Sequence, residues 1–485
     1  MAFPAGKTPS YRFGKRPAVS EQDLEGLLAG IVFKSWSWDE GTDTRRREKQ
    51  PVLLHRLCDL KTQLLHDYGL RSSQLNSING AHFDFLAFVQ NVLTLNLECG
   101  YIAPPPGFDP VFLSLKVCSD ERKIRGNHNV AWFISFPEAA GDSQSPDHVH
   151  TFALAHMREK VLRNHPIWAE MQLDEGLLEL IDKPLKIGDR EFYLNVQYVA
   201  DWKSLVYIME FKSANTKEAS GQICGWCHAD KGFLRTGWRQ TDIFKRWEME
   251  PHRHQGRNLP SLTSGHFRYC AMHGCNRLLD NTVRIIQELA KKKQVADCMQ
   301  SVCPNWGPKI ATQCKHMKMF FQRQLHIHMA NLFNDVNKNH QVRHSDGSRT
   351  VESTGQVVRM LLDGCRGFYH FVYLRKPADA DYGALLLARN KLLAGYDAVE
   401  AELAPTTHYM TSHFIDFAEA DGTAYHTLQE GAEHHHKLDR KDSRLMFTSN
   451  GGKHVHTAPL QQLLDIQEVR RILIRRGHQP PSGHH

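Results

Sequence analysis

Three consecutive prolines divide this sequence. The run YIAPPPGFDP at 101–110 cannot lie inside a helix or a central strand, because each proline fixes φ and lacks a backbone N–H. It reads as a hinge and a domain boundary. After it come three short segments rich in β-branched and aromatic residues, VFLSLKVC (111–118), VAWFISF (130–136) and VHTFALA (149–155), each bounded by polar turns. They read as an antiparallel meander. A helical stretch, REKVLRNHPIWAEMQLDEGLLELID, leads to a fourth strand, FYLNVQYVA (192–200). The expected order is β-β-β-α-β.

Composition limits the class of protein. With 41% hydrophobic and 23% charged residues the chain can bury a large core. No apolar run approaches the roughly 20 residues needed to cross a bilayer, so no membrane span is expected. The first residues, MAFPAGKTPSYRFGKRP, are basic but lack the apolar core of a secretory signal, which implies a reducing compartment. Eleven cysteines there are expected as thiols and metal ligands. A net charge of +7 with 30 histidines suits an anionic partner without requiring one.

The pattern along the chain divides it further. Residues 1–20 and 477–485 read as flexible ends, and 21–100 as a helical region in which the polar stretch RSSQLNSING separates two helices. Residues 111–212 hold the strands, and 213–413 read as a large helical insertion. The last part, 414–476, reads as a helix over about 423–441 and a second, PLQQLLDIQEVRRILIRR, with an exposed basic end.

Two acids sit where the strands end: Asp120 just past the first, in VCSDERK, and Asp201 at the end of the fourth, in YVADWKS. Aspartates are common in turns for local hydrogen bonding alone. The β-β-β-α-β order is, however, how an RNase H-like fold begins, and there these two strand ends are neighbours. Two such carboxylates can share a pair of Mg²⁺ or Mn²⁺ ions about 4 Å apart, as phosphoryl displacement requires. The third acid is expected on a late helix: Glu433 in LQEGAEHHHK, with Glu430 as runner-up.

A second constellation suits zinc. Cys224-Gly-Trp-Cys227 is a C-x-x-C pair that can supply half of a tetrahedral site, and His408 with His413 can supply the other half. Cys270, His273 and Cys275, or Cys298, Cys303 and Cys314, are competing groups whose spacings read better as buried thiols.

Taken in order, these residues resemble the catalytic core of the V(D)J recombinase subunit and the related Transib DDE transposases, over about 111–475. The second acid stands in Asp201-Trp-Lys203-Ser-Leu205, similar to the family's turn. ICGWC at 223–227 resembles its zinc C-x-x-C, and the separation of 20 residues from His413 to Glu433 matches. EGAEHHHK resembles the family's Glu-Gly-x-Glu-x-x-x-Lys. The resemblance implies an RNase H-like α/β fold, with Asp120, Asp201 and Glu433 catalytic and holding two Mg²⁺ or Mn²⁺. It implies one structural Zn²⁺ on Cys224, Cys227, His408 and His413, His273 as an active-site neighbour, and Lys203, Lys437, Arg440 and Lys441 against DNA. The family's DNA-end-binding element is not recognisable before the hinge.

The expected activity is nicking of double-stranded DNA, at transposon ends and target, followed by strand transfer from the freed 3′-OH. A nuclear homodimer is implied, since ends are paired; the need for an accessory subunit stays open. Basic patches at Arg45–Arg47, Lys291–Lys293 and Arg470–Arg476 read either as phosphate contacts or as solvated faces. The rival reading is an inactive, zinc-stabilised DNA-binding protein derived from such an enzyme. A zinc hydrolase is disfavoured because HExxH is absent.

Overall fold

The computed structural model describes residues 60–477 apart from 105–108, 125–126, 140–147, 210, 212–221, 251–255, 257, 290–291, 302, 305–313, 337, 374–379, 425–426 and 430–457. The chain is mixed α/β. Its described residues fall into two compact units, one of residues up to Gly69 with Ile466 onward, the other Leu70–Asp465. The proline hinge therefore lies inside the larger unit, because the residues before it join the same sheet.

That unit opens with β1 (Ser72–Gln74), β2 (Gly80–Phe83) and helix α1 (Phe85–Glu98). The polar stretch expected as a linker is thus a hairpin, paired Ser72 to Phe83 and Gln74 to Ala81, with β2 adding to the sheet through Ala81 and Leu154. Helix α1 starts where Asp84 Oδ1 accepts from the Ala87 amide at 2.8 Å. Its Phe85 and Phe88 pack on Phe152 at ring distances of 5.1 and 6.2 Å.

The core strands follow: β3 (Val111–Ile124), β4 (Asn127–Ser135), β5 (His150–Ala155), β6 (Leu185–Ile187) and β7 (Arg190–Ala200), with helix α2 (Leu173–Asp182) before β6. Strand β5 is buried throughout and β4 nearly so. They read as continuous apolar runs because both faces are covered. The stretch expected as one helix is a 3₁₀ turn (Glu159–Asn164), a short turn at Ile167–Glu170 and then α2, broken by Pro166 and by Gln172 at φ 48°. The sheet order is β1-β2-β5-β4-β3-β7-β6. The pairs β3–β4 and β4–β5 are antiparallel, whereas β7 runs parallel to β3.

Helix α3 (Trp202–Ile208) leaves β7, and the expected helical insertion also contains strands. The first, β8 (Phe267–Tyr269), joins the main sheet parallel to β7. Next come α4 (Ala271–Leu289), α5 (Lys292–Gln300), α6 (Cys314–Gln322) and α7 (Leu325–Asn331), then a separate hairpin of β9 (Asn339–Arg343) and β10 (Arg349–Ser353). Helices α8 (Thr354–Val372), α9 (Tyr382–Ala398), α10 (Pro405–Thr411) and α11 (His413–Ala420) complete the insertion. Ser353 and Gln356 form a reciprocal capping box at the start of α8.

Helices α8 and α9 cross at glycine. A Cβ on Gly364 would stand 2.8 Å from Leu392 Cβ and 2.9 Å from the Ala388 carbonyl. Gly364→Ala is therefore expected to destabilise the protein. Alanine favours a helix by about 1 kcal/mol, but forcing two backbones apart costs roughly 1–3 kcal/mol. A lower urea midpoint at unchanged m-value would show it.

The last helix, α12, runs Ala458–Arg475. Its basic end is not a phosphate-binding surface throughout: Arg470 and Arg471 are buried, Arg471 against Glu468. Arg476 is exposed and lies over Tyr68, its guanidinium 5.5 Å from the ring centroid. Of the other basic patches, Lys293 is exposed, and Arg45–Arg47 and Lys291 lie outside the described residues. The helix expected over 423–441, with Glu430, Glu433, Lys437, Arg440 and Lys441, is also outside them from 430 onward. No helix among the described residues is long and apolar enough to cross a membrane.

Candidate functional site

Asp120 lies within β3, opposite Ala131 of β4, because the strand runs to Ile124 instead of ending before the acid. Parallel pairing aligns it with the second acid. Cys118 stands against Val199, and two residues further along each chain are Asp120 and Asp201. Asp201 is the N-cap of α3: its Oδ1 accepts from the Ser204 amide at 2.7 Å. One oxygen is thereby committed to the helix.

A third acid, not anticipated from sequence, belongs to this cluster. Glu159 begins the 3₁₀ turn after β5 and is buried. Ser204 Oγ donates to its Oε1 at 2.5 Å, and Lys203 Nζ to its Oε2 at 3.1 Å. Burial, with the neighbouring charges of Asp201 and Asp120, lifts Glu159 to about 7 despite these donors. The same lysine reaches Glu121 Oε2 at 3.4 Å, and that carboxylate also accepts from the Glu159 amide at 3.0 Å and His128 at 2.5 Å. Lys203, expected against DNA, thus bridges two carboxylates, and their charges hold its proton against the cost of burial.

Glu159 makes stability depend on pH. Folded protein keeps its proton up to about 7, whereas an unfolded glutamate releases it near 4.5. The folded state therefore binds the extra proton across that window, and stability falls as pH rises through it. In divalent-free buffer the wild-type Tm should drop from pH 5 to 7.5 more steeply than that of Glu159→Gln. Parallel profiles would remove Glu159 from the cluster.

His273 stands on the first turn of α4. Burial works against its proton, but the hydrogen-bonded Cys270 sulfur and the carboxylates Asp201 and Asp120 outweigh it and raise His273 to about 10. The expected active-site neighbour is thus in the electrostatic surroundings of both acids.

The zinc-type residues converge. One ligand atom from each of Cys224, Cys227, His408 and His413 lies within 4.8 Å of all the others, although 181 residues separate Cys227 from His408. All four are buried. Among the described residues no other group of three or more His, Cys, Asp or Glu meets that distance. The competing groups do not assemble: Cys270, Cys275, Cys298 and Cys303 are buried thiols, and the Cys314 side chain lies outside the described residues.

The donor set fits a soft divalent cation. His408 Nε2 lies 3.2 Å from Cys227 Sγ, and the two imidazole planes are nearly perpendicular at 89°. His413 is fully buried with neither ring nitrogen hydrogen-bonded, a costly state that a metal bond removes. Burial raises the Cys224 thiol, while Cys224 and the two rings lower Cys227, so one thiolate is favoured even without metal.

An aromatic cluster joins the two centres. Trp202, beside Asp201, packs on Trp226 of the C-x-x-C at 6.0 Å, on Tyr269 at 5.4 Å and on Tyr409 at 6.4 Å. Tyr409, next to His408, accepts the Tyr269 amide at 3.2 Å. The chain just before residue 430 is also anchored here. Lys116 Nζ on β3 donates to the Leu428 carbonyl at 2.6 Å, and Gln429 Nε2 to the Val199 carbonyl at 2.9 Å. No protein-family model matches the chain, and no curated protein matches it significantly.

Proposed function

We propose that this chain is a DNA transposase or recombinase of the DDE class, with an RNase H-like core, that nicks double-stranded DNA and joins the freed 3′-OH to a second phosphodiester. The observation that carries it is that Asp120 on β3 and Asp201, the cap directly after the parallel strand β7, both act on the buried Glu159. The strand order β5-β4-β3-β7-β8, antiparallel and then parallel, supports the same fold.

In this reading Asp120, Asp201 and Glu433 hold two Mg²⁺ or Mn²⁺ ions, which when bound activate the attacking oxygen and stabilise the leaving one. Hard cations suit these oxygens. Asp201 offers the oxygen that α3 does not use, while Ser204 and Lys203 keep Glu159 turned into the cluster. Glu433 follows Gln429 by four residues, and four residues of extended chain span at most about 14 Å. Gln429 is itself tied two residues from Asp201.

Cys224, Cys227, His408 and His413 hold a structural Zn²⁺ that fixes the insertion to the chain entering the last acidic segment. Pairing of DNA ends requires a homodimer acting in the nucleus. Cleavage of a supercoiled plasmid in Mn²⁺, by wild type and Asp120→Ala, tests the reading. No nicking by wild type would leave a zinc-stabilised DNA-binding protein.

A further inference from the structure

From Cys298 to Asn334 the sequence contains no Asp or Glu but carries Lys309, Lys315, Lys318 and Arg323. The two helices of this stretch pack against α8. Phe321 and Tyr369 lie 5.7 Å apart, and Arg359 Nη2 donates to Asn331 Oδ1 at 3.2 Å. On the outward face of α8, Arg359, Arg366 and His370 are seven and four residues apart, share one face and are all exposed.

Four other arginines of the insertion do have carboxylate partners: Arg235 with Glu402, Arg246 with Asp416, Arg268 with Asp421 and Arg343 with Asp397. Among the described residues neither Arg359 nor Arg366 has a carboxylate within 4.0 Å, and the Arg366 Nε–H goes instead to His370 at 3.3 Å. Beneath this face His326 is buried with neither ring nitrogen hydrogen-bonded. The charged groups nearest its ring are Arg366 and Arg359 against the single carboxylate of Asp363. The local field is positive.

We infer that the outward face of α8 with α6 and α7 is a second contact surface for the phosphate backbone of duplex DNA, apart from the acidic cluster. Arg359 to Arg366 spans about 10 Å of helix axis, over which duplex DNA presents about six phosphates. Arginine matches phosphate geometry with two parallel hydrogen bonds. The inference rests on the nucleic-acid reading above, but not on catalysis.

The test is fluorescence anisotropy of the full chain with a labelled duplex across a salt series. R359E/R366E should lower the Tm only slightly, since both side chains are exposed and one hydrogen bond, Arg359 to Asn331, is lost, and should bind at least about tenfold more weakly at low salt. The log–log salt slope should fall by about 1.8, one contact contributing about 0.9. Lys183→Glu, an exposed lysine after α2, should change neither. If reversal disturbs folding, R359A/R366A should still lose the same slope. Equal affinity and slope in wild type and the double variant would overturn this surface while leaving the nucleic-acid reading intact. A wild type that binds no duplex at any salt would overturn both.

Discussion

Replacing Cys224 by Ser or His413 by Ala is expected to remove zinc and lower the Tm together. Loss of a direct ligand should weaken zinc by at least about 100-fold, which corresponds to about 2.7 kcal/mol of folding free energy. The histidine discriminates most sharply. With metal absent, His413 is a buried ring with two unsatisfied nitrogens, and a similarly sized apolar replacement, His413→Phe, would be neutral or stabilising. With metal bound, His413→Phe destabilises as strongly as Cys224→Ser. A strong chelator should lower the wild-type Tm and leave the variants nearly unchanged. Metal analysis that finds no zinc in folded protein, with His413→Phe as stable as wild type, would sink the site.

Asp201→Asn is expected to abolish nicking with almost no change in stability. The asparagine carbonyl still accepts the Ser204 amide as the cap of α3, but the charge that in the proposed site holds a divalent cation is gone. Asp201→Ala should lose activity too and cost about 1 kcal/mol of stability through the lost cap. Asp120→Asn should behave as Asp201→Asn in activity. Losing cation stabilisation of several kcal/mol lowers the rate by on the order of 10³. Binding of duplex DNA should persist in all three, because each change removes only negative charge. Plasmid nicking and anisotropy measured on the same preparations separate the effects; cleavage retained by Asp120→Asn would remove that residue from the metal site.

Part of this site is legible in the sequence. Asp201 stands out because a nine-residue apolar strand stops at it, and Cys224 with Cys227 because two thiols three apart form half a tetrahedron. Glu159 is not legible there. It follows a strand as many surface acids do, and only the fold of the 3₁₀ turn against Ser204 and Lys203 turns it inward. The hairpin Ser72–Phe83 is hidden by its polar composition, and β8 by its three-residue length within a helical pattern. Arg470 and Arg471 look exposed because a basic run ordinarily is, but both lie buried, Arg471 against Glu468.

What the sequence determined by itself is whatever depends on near neighbours. Runs of apolar, β-branched and aromatic residues bounded by turn residues set the strands β3, β4, β5 and β7. What only the tertiary structure decided is which distant residues share one place. Asp120 and Asp201 both lie two residues past the Cys118–Val199 pair because β3 and β7 run parallel in one register, and a shift of one residue would turn the Asp120 carboxylate to the other face. His408 reaches Cys227 across 181 residues because α10 packs on the sheet through Tyr409 and Tyr269. Closing a loop of that length costs entropy that grows only slowly with its length, so packing and a metal bond can hold it, and no local pattern announces it.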